Sequence, residues 1–89
     1  MNKLIKNDLV AIESLYGRKA AQFCQEAGKC KEEVFLEDDN GRRVSAKSLL
    51  GLLSLGIDKG KKYQMYVSMN DEKTEDAIKY LLSILGGVV

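Results

Sequence analysis

An α+β fold is predicted: an open-faced sandwich in which a four-stranded antiparallel sheet carries three helices on one face. Three observations lead there. Two segments have apolar residues at three- and four-residue steps, at "GRKAAQFCQEAG" and "TEDAIKYLLSILGG". The remaining apolar residues fall into short strand-like runs bounded by polar turns. The order is strand, helix, strand, strand, short apolar segment, strand, helix. Helices and sheet hide their apolar faces from water in that order when all helices lie on one side.

The elements follow in turn. "LIKNDLVAI", Leu4 to Ile12, reads as the first strand, with an irregularity expected at Asn7-Asp8. Gly17 to Gly28 reads as a helix with Ala20, Phe23, Cys24 and Ala27 on its apolar stripe, and Gly28 is expected to end it in the left-handed conformation. "EEVFLEDDNGRRVSA", Glu32 to Ala46, reads as a hairpin. Its arms are Val34 to Leu36 and Arg42 to Ala46, and Asn40-Gly41 tolerate the positive φ of a tight turn.

"KKYQMYVSM", Lys61 to Met69, alternates as a half-buried strand does. Tyr63, Met65, Val67 and Met69 share the face expected inside. Thr74 to Gly87 is the clearest helix: Thr74 is placed to cap it, and Glu75 and Asp76 sit in the turn where the helix dipole favours negative charge. Ala77, Ile78, Leu81, Leu82 and Leu85 form its apolar stripe, and Gly86-Gly87 stop it.

With 89 residues the chain forms one domain, residues 1–89. A net charge of +1 leaves no broad positive field, so direct binding to nucleic acid is not expected. No apolar stretch is long enough to span a bilayer, and charges interrupt the N-terminal segment. A membrane location is therefore not expected either, and the cytoplasm is the expected compartment. There is no histidine, which removes histidine triads, histidine metal ligands and phosphohistidine chemistry. Two cysteines, Cys24 and Cys30, make neither a disulfide framework nor a zinc set and read as idle thiols. No cofactor and no metal are expected. Asp38, Asp39, Asp71 and Glu72 lie in charged turns and read as solvated, so nothing points to an enzyme. Arg42-Arg43 and Lys61-Lys62 read as strand-edge charges, and Tyr63, Tyr66 and Tyr80 as packing groups.

The stretch "SAKSLLGLLSLG", Ser45 to Gly56, is the least ordinary part of the chain. Ser48 suits the N-cap of a short helix over Leu49 to Leu53, with Gly56 releasing the chain. So short a helix cannot bury Leu49, Leu50, Leu52, Leu53 and Leu55 together, so an exposed apolar patch is expected. Two readings stay open. Ser48 is a cap above core leucines, or it accepts a phosphoryl group, with Lys47 beside it, at the rim of a docking patch.

These residues carry a resemblance. "AKSLLGLLSLG" resembles the regulatory-serine segment of HPr, the phosphocarrier family of the bacterial sugar phosphotransferase system, commonly AKSIMGLMSLG. "RKAAQFCQEA" is similar to the RPAALFVQEA of that family's first helix, and "VFLEDDNGRRVSAKS" to its second hairpin. The likeness runs from about Ser14 to Gly60 and continues more weakly through the last strand and helix. It implies the family fold of four antiparallel strands with three helices on one face.

The phosphotransfer loop departs from the family. Where the family has GLHARPAA, this chain reads "SLYGRKAA": Tyr16 takes the histidine position, Arg18 is kept and Lys19 replaces the proline. A phenol, with a pKa of about 10, is a poor acceptor for that exchange. The turn "DDNG" is one residue longer than is common in the family, and "SMNDEKTEDA" two residues longer.

The likeness is therefore to the histidine-lacking, catabolite repression HPr type. That implies a regulatory protein without catalytic residues. Ser48 would be phosphorylated by HPr kinase/phosphorylase, and the phosphoprotein would act as corepressor partner of a LacI-type catabolite control protein. By the same resemblance Arg18, Lys47, Leu49, Leu50 and Leu53 form the partner surface. The alternatives are a phosphocarrier component acting through Tyr16 and a degenerate paralogue with another partner. A monomer or weak homodimer is expected.

Overall fold

The structure is a computed structural model, and it describes residues 3–88. Strand β1 spans Leu4–Ala11, helix α1 Gly17–Gly28, β2 Val34–Glu37 and β3 Arg43–Ser45. Then follow α2 at Leu49–Leu55, β4 at Lys62–Ser68, α3 at Thr74–Leu85 and β5 at Gly86–Val88. One antiparallel sheet runs in the order β3-β2-β4-β1-β5. The four expected strands and three expected helices are present.

Side chains sort themselves by the alternation of the strands. Leu9 and Ala11 of β1, Val34 and Leu36 of β2, and Tyr63, Met65 and Val67 of β4 are buried. Ala20, Phe23 and Ala27 of α1 and Ile78, Leu81 and Leu85 of α3 close over them. Phe23 is the largest fully buried side chain, and its complete removal from water is worth about 2–3 kcal/mol.

Five local expectations are corrected. The register of β1 on β4 runs unbroken from Leu4 opposite Ser68 to Val10 opposite Lys62, so Asn7-Asp8 carry no irregularity. The Asn7 amide instead donates to the carbonyls of Ile5 and Met65 within the sheet. Gly28 is not left-handed; α1 ends on Lys29 with φ −76°, whose N–H reaches the Glu26 carbonyl at 3.2 Å, while the Cys30 N–H reaches that of Ala27 at 3.1 Å. Met69 lies past the end of β4 and is 49% exposed, because the strand stops at Ser68. Thr74 is the first residue of α3 rather than its cap. The cap position is Lys73, whose side chain makes no capping bond. Gly86-Gly87 end α3 but also begin β5, which pairs with the outer edge of β1. A Cβ on Gly86 would stand 2.1 Å from the Val10 carbonyl oxygen, so only glycine permits that approach.

The hairpin turn is built by an aspartate. The Asp38 carboxylate accepts the N–H groups of Asn40 and Arg42, and Gly41 supplies the positive φ of 83°.

Candidate functional site

Helix α2 positions the serine segment. Ser48 has an extended backbone, and its hydroxyl oxygen accepts the Gly51 N–H at 3.1 Å. This is the capping geometry expected of serine before a leucine run. Ser48 itself is exposed. At the other end Gly56 adopts φ 71° and returns its N–H to the Leu52 carbonyl at 3.1 Å.

The leucines divide by helical phase. Leu52 and Leu55 are turned into the core, at 0% and 8% exposure. Leu49, Leu50 and Leu53, one turn apart along the other side, stand at 39%, 82% and 40%. The expected exposed patch therefore exists, with Leu50 at its centre. The first turn of α2 holds no carboxylate, so no like charge opposes a phosphate on Ser48.

Helices α1 and α2 run antiparallel beside each other. The Cys24 thiol on α1 donates to the Lys47 carbonyl at 3.2 Å, next to the start of α2. Tyr16, just before α1, reaches the far end of α2 at Gly56. Arg18 is exposed at that same end of α1, and among the described residues no carboxylate lies within ion-pair distance of it. Lys47 does not extend its cation alongside Ser48. Its ammonium donates to the Cys30 carbonyl at 2.9 Å, and the side chain is half-buried. The two cysteines are free; burial, the main cause, raises the Cys30 thiol above its ordinary pKa.

Tyr16 is the residue whose setting the sequence did not disclose. It is 51% exposed, and its hydroxyl donates to the Asp58 carboxylate. That bond, ahead of desolvation, raises the phenol above its ordinary pKa, and the same bond together with Lys61 lowers Asp58. A phenol held protonated is a weak nucleophile at neutral pH. Asp58 sits 42 positions along the chain from Tyr16, and no spacing rule links them.

A shallow cleft of about 790 Å³ lies between the β2–β3 turn and the loop after α2, bordered by Asp38, Arg42, Asp58 and Lys61. Among the described residues no group of three or more Cys, Asp or Glu side chains is placed to hold a metal ion. Among the described residues no helix is long and apolar enough to cross a membrane.

Comparison with known proteins accounts for this arrangement. Residues 9–86 match the family model described as "PTS HPr component phosphorylation site". The HPr-like protein Crh of Halalkalibacterium halodurans is 39% identical over 71 residues, covering 80% of this chain and 81% of that protein. The crystal structure of the phosphocarrier protein HPr from Bacillus anthracis superposes with a TM-score of 0.81 at 29% identity, over 94% of this chain and 99% of the other. The Bacillus subtilis catabolite repression protein Crh, whose crystal structure is a swapped-domain dimer, aligns with a TM-score of 0.67 at 35% identity over 81% of this chain and 79% of that one. A sheet with three helices on one face, a capped serine before an exposed leucine patch and a match over nearly the whole chain agree with one another: this chain belongs to the PTS HPr family.

Proposed function

We propose that this protein is a non-catalytic regulatory member of the HPr family, controlled by phosphorylation of Ser48. HPr kinase/phosphorylase is the proposed kinase, and a LacI-type catabolite control protein in the cytoplasm is the proposed partner of the phosphoprotein. The observation that carries the reading is the pairing of an exposed Ser48 hydroxyl with a leucine 82% exposed two residues later. A hydroxyl that served only as a cap would need no such neighbour, and exposed apolar groups beside a modifiable oxygen make a conditional docking face.

The proposed step transfers the γ-phosphoryl group of ATP to Ser48 Oγ: the bond from the γ-phosphorus to the β,γ-bridging oxygen breaks, ADP leaves, and the hydroxyl proton goes to a base on the kinase. The added phosphate stands at the positive end of α2, where it is tolerated without melting the helix. Leu49, Leu50 and Leu53 then supply apolar contact and Arg18 a free cation at the other end of the face, while the Lys47 ammonium is held by the Cys30 carbonyl. Two features weigh against a phosphocarrier: Tyr16 stands where the family's histidine would, and its hydroxyl is committed to Asp58.

Incubation with HPr kinase and ATP, read by intact mass and peptide mapping, tests the proposal. One phosphoryl group on Ser48, absent from Ser48→Ala, is the expected result. The regulator should bind only the phosphorylated form. Label that persists in Ser48→Ala, or equal binding of both forms, refutes it.

A further inference from the structure

The end of β1 and the loop before α1 are joined to the loop after α2 by five hydrogen bonds, one of them from the Ala11 N–H to the Lys61 carbonyl at 3.0 Å. The Leu15 N–H donates to the Ile57 carbonyl at 2.9 Å, the Lys59 N–H to Ser14 Oγ at 3.0 Å, and the Gly60 N–H to the Ala11 carbonyl at 2.8 Å. The Tyr16–Asp58 bond is the only one of the five made by two side chains. The other four, each with a backbone group as donor, join the two segments without it.

Asp58 is itself held from within. Its N–H donates to the buried Tyr63 hydroxyl at 2.9 Å, and that hydroxyl donates to the Gly56 carbonyl at 3.0 Å. Its carboxylate also faces Lys61 at 3.3 Å. The acceptor for Tyr16 is thus preset by the core side of the loop. The Tyr16 hydroxyl oxygen lies 3.8 Å from where a Cβ on Gly56 would stand, so the far edge of the ring is set against the C-cap of α2.

We propose that Asp58 is a positioning residue of the docking face: it holds the Tyr16 ring at the end of α2 so that a partner's apolar surface meets one strip of Tyr16, Leu53 and Leu50 leading to Ser48. The inference rests on the functional reading above, with the regulator as occupant. An unheld tyrosine would have to lose its rotamer freedom on binding, whereas the clasped one has lost it already. Seven residues of α2 span about 10 Å, so tyrosine and phosphoserine fall within one ordinary contact patch.

The test compares Ser48-phosphorylated wild type with Asp58→Ala, Asp58→Asn and Tyr16→Phe in binding to the LacI-type regulator. Asp58→Ala and Tyr16→Phe should each weaken binding about threefold to tenfold, and the double variant should be no worse than either. Asp58→Asn keeps an acceptor oxygen and should bind as wild type does. Ser48 should be labelled at the same rate in all four. NMR titration of the Tyr16 ring, which needs no partner, should show its midpoint falling in Asp58→Ala. An unchanged midpoint, or wild-type affinity in Asp58→Ala, overturns the inference. If phosphorylated wild type does not bind the regulator, the functional reading falls and takes the docking role of the clasp with it, whereas the titration still reports whether the clasp exists.

Discussion

Helices α2 and α3 both begin beside a hydroxyl side chain, Ser48 for one and Thr74 for the other. Ser48 is exposed and makes one side-chain bond, to Gly51. Thr74 is 2% exposed and fully occupied: its oxygen accepts the N–H groups of Asn70 and Asp71 and donates to the Glu32 carboxylate at 3.0 Å. Glu32 is buried too, at 5% exposure, so this pair ties the segment after α1 to the start of α3. Two residues of the same chemistry, given the same local signal, have opposite availabilities. A hydroxyl that closes a buried network is unavailable for modification, and one that caps a surface helix remains open to a kinase.

The sharpest way to break this comparison is to delete both hydroxyls and compare stabilities. Thr74→Val leaves two amides and a buried carboxylate short of a partner and should cost about 2–3 kcal/mol. Ser48→Ala removes one exposed cap and should cost about 1 kcal/mol. Urea unfolding measures both, and a larger loss for Ser48→Ala would invert the assignment. Kinase labelling separates them further, with full labelling of Ser48 and none of Thr74.

Phosphorylation sharpens the contrast in sign. A phosphate on Ser48 meets the positive end of α2 and should raise stability by about 0.3–1 kcal/mol, seen as a higher Tm. Thr74→Asp would place a carboxylate against buried Glu32 and should lower Tm instead.

The smallest effect concerns pH. Asp58 is held below its ordinary carboxylate pKa by Tyr16 and Lys61, so its contribution is present above the unfolded-state value. That contribution fades as pH falls through the lowered folded-state value. Tyr16 is raised, so its contribution is present below the unfolded tyrosine pKa and fades as pH rises through the raised folded-state value. Both ends of the clasp face water, so the change is slight. Asp58→Asn should remove the acid limb from the Tyr16 ring shifts, as followed by NMR.

The legible parts of the molecule were those written in local periodicity. Helix α1 and the alternation of β4 follow from which positions share a face, and an exposed leucine patch follows from the shortness of α2, whereas its members Leu49, Leu50 and Leu53 were named only by the family resemblance. The Ser48 cap was legible because a capping bond reaches only three residues along the chain. Strand β5 was not, because Gly86, Gly87 and Val88 carry no alternating pattern and are drawn into the sheet by the free edge of β1. The role of Thr74 was misread because its partner Glu32 lies 42 positions away. Lys47 was expected beside Ser48, yet the Cys30 carbonyl, 17 positions away, takes its ammonium.

Sequence alone determined the layered fold, the serine at the head of a short apolar helix and the absence of any imidazole, since each rests on residue identity or near-neighbour spacing. Tertiary structure alone decided which hydroxyl stays in water, where the Lys47 charge goes and that Asp58 receives Tyr16. Hydrogen bonds are short-ranged in space and indifferent to separation along the chain, so those pairings exist only once the fold has brought distant loops together.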